Sequence, residues 1–158
     1  MLWTGAMMEA CDEQSPARGG EKEEPKELPS DCRIIVRGGL SRLRDLVDEI
    51  KQPFYEYNSL ISHTGYYLKP VHKVYKRLPD GRRRIYEYYG RYWWRKEGTR
   101  WIYAGTIKPS SIKYDPPSHP LEGLSIIIEG SDVILDCRDY DRFRGFFAGL
   151  EIETLTME

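Results

Sequence analysis

Three cysteines, three histidines, two glutamines and one asparagine are all that this 158-residue chain holds of those four types. Each scarcity closes off a class of protein. Cys11, Cys32 and Cys137 lie far apart and form no C-x-x-C pair, which argues against both a disulfide framework and a zinc site. Cys32 and Cys137 read instead as small buried residues at strand ends. His63, His72 and His119 show no ligand spacing and read as loop or solvent residues. Few thermolabile amides beside 31% charged residues is a thermophile pattern, which leaves an intracellular disulfide open. No run approaches 18 apolar residues, so no membrane span is expected. The opening Met1-Leu2-Trp3-Thr4-Gly5-Ala6-Met7-Met8 lacks the basic start and long apolar centre of a signal peptide, and a cytoplasmic location is expected. No Gly-rich phosphate loop is present, and no Ser or Cys sits in a nucleophile motif. The sequence therefore predicts no catalytic residue, no cofactor and no metal.

What is present is concentrated in the middle. Residues 66–114 hold 13 of the 24 Lys and Arg but only 3 of the 25 Asp and Glu, a local net charge of +10 in a chain of net charge −1. The same stretch holds 12 of the 20 Tyr, Trp and Phe. Cations interleaved with flat amphipathic rings suit phosphates and bases better than a dry core.

The organisation around it is that of one small α+β domain. Residues 1–30 are rich in Glu, Lys, Pro and Gly and poor in large apolar groups, so disorder is expected there. Arg33-Ile34-Ile35-Val36-Arg37 reads as a strand before Gly38-Gly39. Leu40, Leu43, Leu46, Val47 and Ile50 mark one helical face, with Arg42, Arg44, Asp45, Asp48 and Glu49 toward solvent and Pro53 as the stop. Residues 52–70 carry little signal. The basic middle reads as a three-stranded antiparallel meander: 71–78, the turn Pro79-Asp80-Gly81, 82–95 with Gly90 as a bulge, then 100–108. Residues 124–129 and 133–137 read as a hairpin about Gly130. Tyr140, Phe143, Phe146, Phe147 and Leu150 mark a last helix, with Asp139 or Asp141 as its cap, and residues 151–155 alternate like a strand.

The apolar positions 40, 43, 46, 47 and 50 recur at 140, 143, 146, 147 and 150. Either amphipathic helices after strands simply look alike, or the chain is a β-α unit and a β-β-α unit closing one small sheet with two helices. In the second case residues 52–120 are an insertion, the basic meander at about 66–114 is a separable device, and residues 31–158 form one domain.

The run from Leu124 to Asp139, followed by Arg142-Phe143-Arg144, resembles the small Pcc/CTAG-type subunits of the KEOPS complex over residues 31–51 and 122–150. The resemblance implies a β-α…β-β-α order, dimerisation through the sheet, and docking on the subunit that modifies tRNA. It also implies partner-docking roles for Asp139, Phe143 and Arg144. Residues 71–108 are similar, more loosely, to the three-stranded Tyr/Arg-rich DNA-binding modules of tyrosine recombinases. Gly65-Tyr66-Tyr67 and Tyr88-Tyr89-Gly90 do not make a GIY-YIG nuclease, because their spacing is too long and more meander replaces the catalytic helix.

The functional expectation is a non-enzymatic nucleic-acid-binding protein, with RNA (tRNA included) ahead of DNA. Arg82, Arg83, Arg84, Arg91, Arg95, Lys96 and Arg100 are the phosphate candidates. Tyr86, Tyr88, Tyr92, Trp93 and Trp94 are the candidate stackers. Alternation puts Arg84, Tyr86 and Tyr88 on one face of their strand and Ile85, Glu87 and Tyr89 on the other. Only Asp80, Glu87 and Glu97 are available locally as partners for these cations, which weakens a purely structural reading of them. The competing readings are an accessory subunit that dimerises or docks in a larger complex and, more distantly, a metal-dependent nuclease using Asp132, Asp136, Asp139 and Asp141.

Overall fold

The computed structural model describes residues 27–28 and 31–156. The disorder expected of residues 1–26, 29 and 30 lies outside them, whereas Leu28 is seated in a core cluster. The elements run β1 (Cys32–Val36), α1 (Gly39–Leu60), a 3-10 turn (Ser62–Thr64), β2 (Tyr66–Arg77), β3 (Arg83–Glu97), β4 (Arg100–Gly105), β5 (Ser125–Glu129), β6 (Asp132–Asp136), α2 (Cys137–Arg142) and β7 (Ile152–Thr156). The chain is mixed α+β, with a seven-stranded antiparallel sheet in the order β2-β3-β5-β6-β1-β7 and β4 also paired to β3.

β3 joins the basic middle to the rest of the sheet. Its 15 residues are long enough to serve two neighbours on one edge: Ile85–Tyr88 pair with β5, and Trp93–Glu97 pair with β4. β2 runs along its other edge. Tyr89 of β3 lies in the main core with Leu43, Leu124, Ile126 and Val133. The expected insertion is therefore welded into the same sheet and core as the rest.

Three local expectations are corrected. α1 continues through Pro53 to Leu60. A proline inside a helix costs about 3 kcal/mol. Beyond it, however, Phe54, Tyr57 and Ile61 bury against Leu68, Trp93 and Ile112, and each such side chain recovers about 1.5–3 kcal/mol. The last helix is short. α2 ends at Arg142, and turns follow through Gly149, which takes a left-handed φ of +87°. Its cap is Asp136, which accepts from the Arg138 amide at 2.9 Å, rather than Asp139 or Asp141. The rings of the expected stripe still pack on the core.

The third correction is a disulfide, Cys32–Cys137, with Cα atoms 5.4 Å apart. Its two ends lie 105 residues apart in sequence, so spacing gives no hint of it. The β1–β6 register pairs Arg33 with Asp136, which leaves Cys32 and Cys137 beside each other on the next rung. The Gly38-Gly39 turn has its own reason. A Cβ on Gly39 would come within 2.8 Å of Val133 Cγ2, so only glycine lets α1 start so close to β6.

Candidate nucleic-acid interface

The pleat of β3 sorts the basic aromatic residues onto two faces. Glu87 and Tyr89 point under α1, while Tyr86 and Tyr88 join Val74, Ile127 and Leu28 on the opposite face, as alternation predicts. Alternation then passes Gly90 unbroken. Trp93 meets Tyr57 of α1, whereas Tyr92 and Trp94 meet His72 away from the helices. The irregularity lies between Lys69 and Val71 of β2: Lys69 pairs with Tyr92 and Val71 with Tyr89. Gly90 and Arg91 thus oppose Pro70 alone, where the strand has no N–H to offer its neighbour.

The face away from α1, here the open face, carries a continuous ladder of rings. His72 stacks on Tyr103 at 4.4 Å between centroids and on Tyr92 at 5.4 Å. Trp94 lies 5.4 Å from Tyr103 and stacks on Tyr67 at 6.3 Å. Tyr67 meets Trp101 edge-on at 4.4 Å. Two lysines lie over the rings: Lys69 Nζ is 5.3 Å from the Trp94 centroid and Lys96 Nζ 5.9 Å from that of Trp101. Lys69 is 0% and Trp94 3% exposed. Burial, with the neighbouring Tyr103 and Tyr88, pushes the Tyr92 hydroxyl well above its ordinary range, so it stays a neutral donor.

Cations gather at the two ends of β3. At the β2–β3 turn, Arg77, Arg82 and Arg83 are exposed. Arg82 is engaged by Asp80 at 2.6 Å, and Arg83 lies 4.3 Å over the Tyr75 ring. At the β3–β4 turn, Arg95, Lys96 and Arg100 are exposed, and Arg95 pairs with Glu97. Among the described residues, Arg77, Arg83, Arg84, Lys96 and Arg100 have no carboxylate partner. Arg33 and Arg84 also hold their Nε atoms buried without a hydrogen bond.

The expected contact set is therefore divided. Arg84, Tyr86, Tyr88, Tyr92, Trp94 and Lys96 share the open face. Arg91 turns the other way to Glu122, at 3.0 Å. Trp93, 1% exposed in the α1 cluster, cannot stack on a base, because its ring is core. Tyr86 and Trp94 are also too deeply buried to offer a ring face, which leaves half-buried Tyr88 and Tyr92 as accessible stackers. Trp101 and Tyr103, also half-buried on this face, join them. Strand alternation could have found this pair had the β3–β4 register been readable, but the shift between Trp93 and Trp94 hides it.

Arg44 is the clearest miss. Expected at the surface, it reaches under α1 and grips buried Glu87 with two bonds of 2.9 and 2.8 Å. Tyr89 donates to the same carboxylate at 2.8 Å and Lys73 Nζ lies 3.7 Å away. The Arg44 charge is held more firmly than usual by Glu87, against the cost of burial. The stretch's one buried carboxylate is thus spent on structure, not on the exposed arginines.

The other candidates are tied up within the chain. Asp139 accepts from the Ser125 amide, Phe143 packs on the main core, and Arg144 pairs with Asp141 and covers Tyr140. Asp132 accepts from the Gly38 amide and from Arg37, and no metal-sized cluster of acidic, His or Cys side chains exists among the described residues. His72 and His119 are buried rather than solvent-facing. The Leu121 amide donates to His119 Nδ1, so Nε2 carries the proton and donates to the Pro70 carbonyl at 3.1 Å. No helix among the described residues is long and apolar enough to cross a membrane. Comparison with known proteins returned no matching family model, no matching curated protein and no matching solved structure.

Proposed function

We propose that this protein is a non-enzymatic nucleic-acid-binding protein that lays a single strand, RNA ahead of DNA, along the open face of its sheet. The observation that supports the reading is the aromatic ladder from Tyr88 to Trp101, bounded at both ends by cations that have no carboxylate partner among the described residues. β3 spans roughly 50 Å at about 3.3 Å per residue, room for several nucleotides between the two basic turns. Arg84 and Lys96 on the open face, with Arg83 and Arg100 at the turns that bound it, are the phosphate contacts, and Tyr88, Tyr92, Trp101 and Tyr103 the stacking platform. Stacking contributes about 1–3 kcal/mol per base in such sites.

The test is a fluorescence-anisotropy titration with single-stranded RNA, single-stranded DNA and duplex DNA at two salt concentrations. Binding that weakens steeply with salt and favours single strands is expected. No binding to any probe at low salt would sink the reading.

A second reading, a docking subunit of a larger assembly, has its own support in exposed apolar side chains at Leu60, Tyr114 and Ile107, the last 83% exposed. Salt-insensitive association with a protein would favour it.

A further inference from the structure

Residues 27–28 already occupy part of the open face. Leu28 is buried among Val74, Tyr86 and Ile127. The Glu27 carboxylate accepts from Lys76 Nζ at 3.2 Å and from the Tyr86 hydroxyl at 3.1 Å. Leu28 thus touches β2, β3 and β5 on this face, and Glu27 reaches Lys76 of the edge strand β2. β2 and β3 are also the strands that carry the ladder.

We propose that the 26 residues ahead of Glu27 are a tethered acidic competitor for the open face, which nucleic acid must displace in order to bind. The inference rests on the nucleic-acid reading above and adds its regulation. Three observations support this occupant. The segment can span the site: 26 residues reach up to roughly 85 Å when extended, against roughly 50 Å for β3. Its charge is complementary, with six Asp and Glu against three Lys and Arg over residues 1–26, facing the +10 stretch. It also carries apolar groups suited to rings, Trp3, Met7 and Met8. The Glu27–Lys76 contact is the first rung of that pairing.

A tethered competitor lowers apparent affinity by the fraction of time it occupies the site. Two full-length variants release it differently: Leu28→Asp removes the anchor, and Glu21→Gln/Glu23→Gln/Glu24→Gln removes the net charge. The triple change lies outside the described residues and touches none of the contacts of Leu28, so it reports even if Leu28→Asp unfolds. With a fluorescent 20-nucleotide oligouridine at low salt, the triple variant is expected to bind roughly tenfold more tightly than the parent chain. An unchanged affinity overturns the proposal.

A second readout needs no nucleic acid. Cys11 is the one cysteine outside the disulfide and accepts a nitroxide spin label. Broadening of the Tyr88, Tyr92, Trp101 and Tyr103 ring signals is expected, with the triple variant relieving it. Broadening without any oligouridine binding would keep the strap and reject the nucleic-acid reading. No broadening rejects the strap. Broadening of an unlabelled copy mixed with a labelled one would assign the occupant to a second molecule and overturn the tethered version.

Discussion

The two faces of β3 handle positive charge in opposite ways. Under α1, Arg44 and Lys73 converge on the buried Glu87 carboxylate. On the open face, exposed Lys96 rests against the ring of Trp101. A carboxylate neutralises a cation inside a core; a ring's negative face attracts one without cancelling it. The first arrangement locks a helix to a sheet. The second keeps a positive potential at a surface, which is what a phosphate chain needs. One strand thus carries structure on one side and a candidate interface on the other, because its pleat turns successive residues through half a circle.

The largest way to break this comparison is to remove the strand. Replacing residues 66–114 by a short linker takes away β2, β3, β4 and the core ring Tyr89. The remainder is expected to show no cooperative unfolding transition by circular dichroism. A folded remainder would restore the separable-device reading.

Adjacent tryptophan and tyrosine residues give a sharper test. Trp93→Ala empties the α1 cluster and is expected to cost about 3–5 kcal/mol in urea unfolding. Tyr92→Ala, one position earlier on the half-buried open face, should cost roughly 1–2 kcal/mol while weakening oligonucleotide binding. Equal costs would mean that both faces are core.

Glu87→Ala leaves Arg44 and the Tyr89 hydroxyl without their shared acceptor. Breaking a buried pair costs about 3–5 kcal/mol. Because Arg44 keeps 42% of its side chain in solvent, a loss near about 2–3 kcal/mol is expected. Denaturant midpoints measure it, and binding of oligonucleotide by the folded fraction should be unchanged.

Lys96→Ala/Arg100→Ala should leave stability within about 0.5 kcal/mol. The same double change should reduce the slope of log affinity against log salt by about 1 for each phosphate that is no longer neutralised. An unaltered slope removes these residues from the interface.

The smallest effect is one of pH. Burial, outweighing the Pro70 carbonyl, holds His119 below its ordinary value of 6.5. Below about 6.5 the unfolded chain binds the proton and the folded chain resists it. This contribution is therefore intact at neutral pH and is lost as pH falls. Midpoints followed from pH 7 to pH 5 should fall, and His119→Phe should flatten that slope.

Composition and periodicity made a good part of this legible. The α+β class, the β1 strand, the 124–137 hairpin, the closing strand at 152–156 and the face alternation of Arg84 to Tyr89 all follow from apolar spacing of two or of 3.6 along short runs. The Pro53 stop fails because a local cost is visible in sequence, whereas the distant burial of Phe54 and Tyr57 that offsets it is not. The helix expected over 140–150 fails for a related reason. Its aromatic stripe is real, but packing on the main core holds Phe143 and Phe147 as well from turns as from a helix, and left-handed Gly149 favours turns.

By itself the sequence determined that a +10, ring-rich strand pair lies between acidic flanks, since charge and aromatic content are properties of the chain in any conformation. Only the tertiary structure decided which of those residues are surface and which are core. It divided the candidate contacts between two faces, paired Cys32 with Cys137 across 105 residues, and set Arg44 on Glu87. Each of these depends on the register of strands far apart in sequence, and a shift of one residue would have turned every side chain to the opposite face.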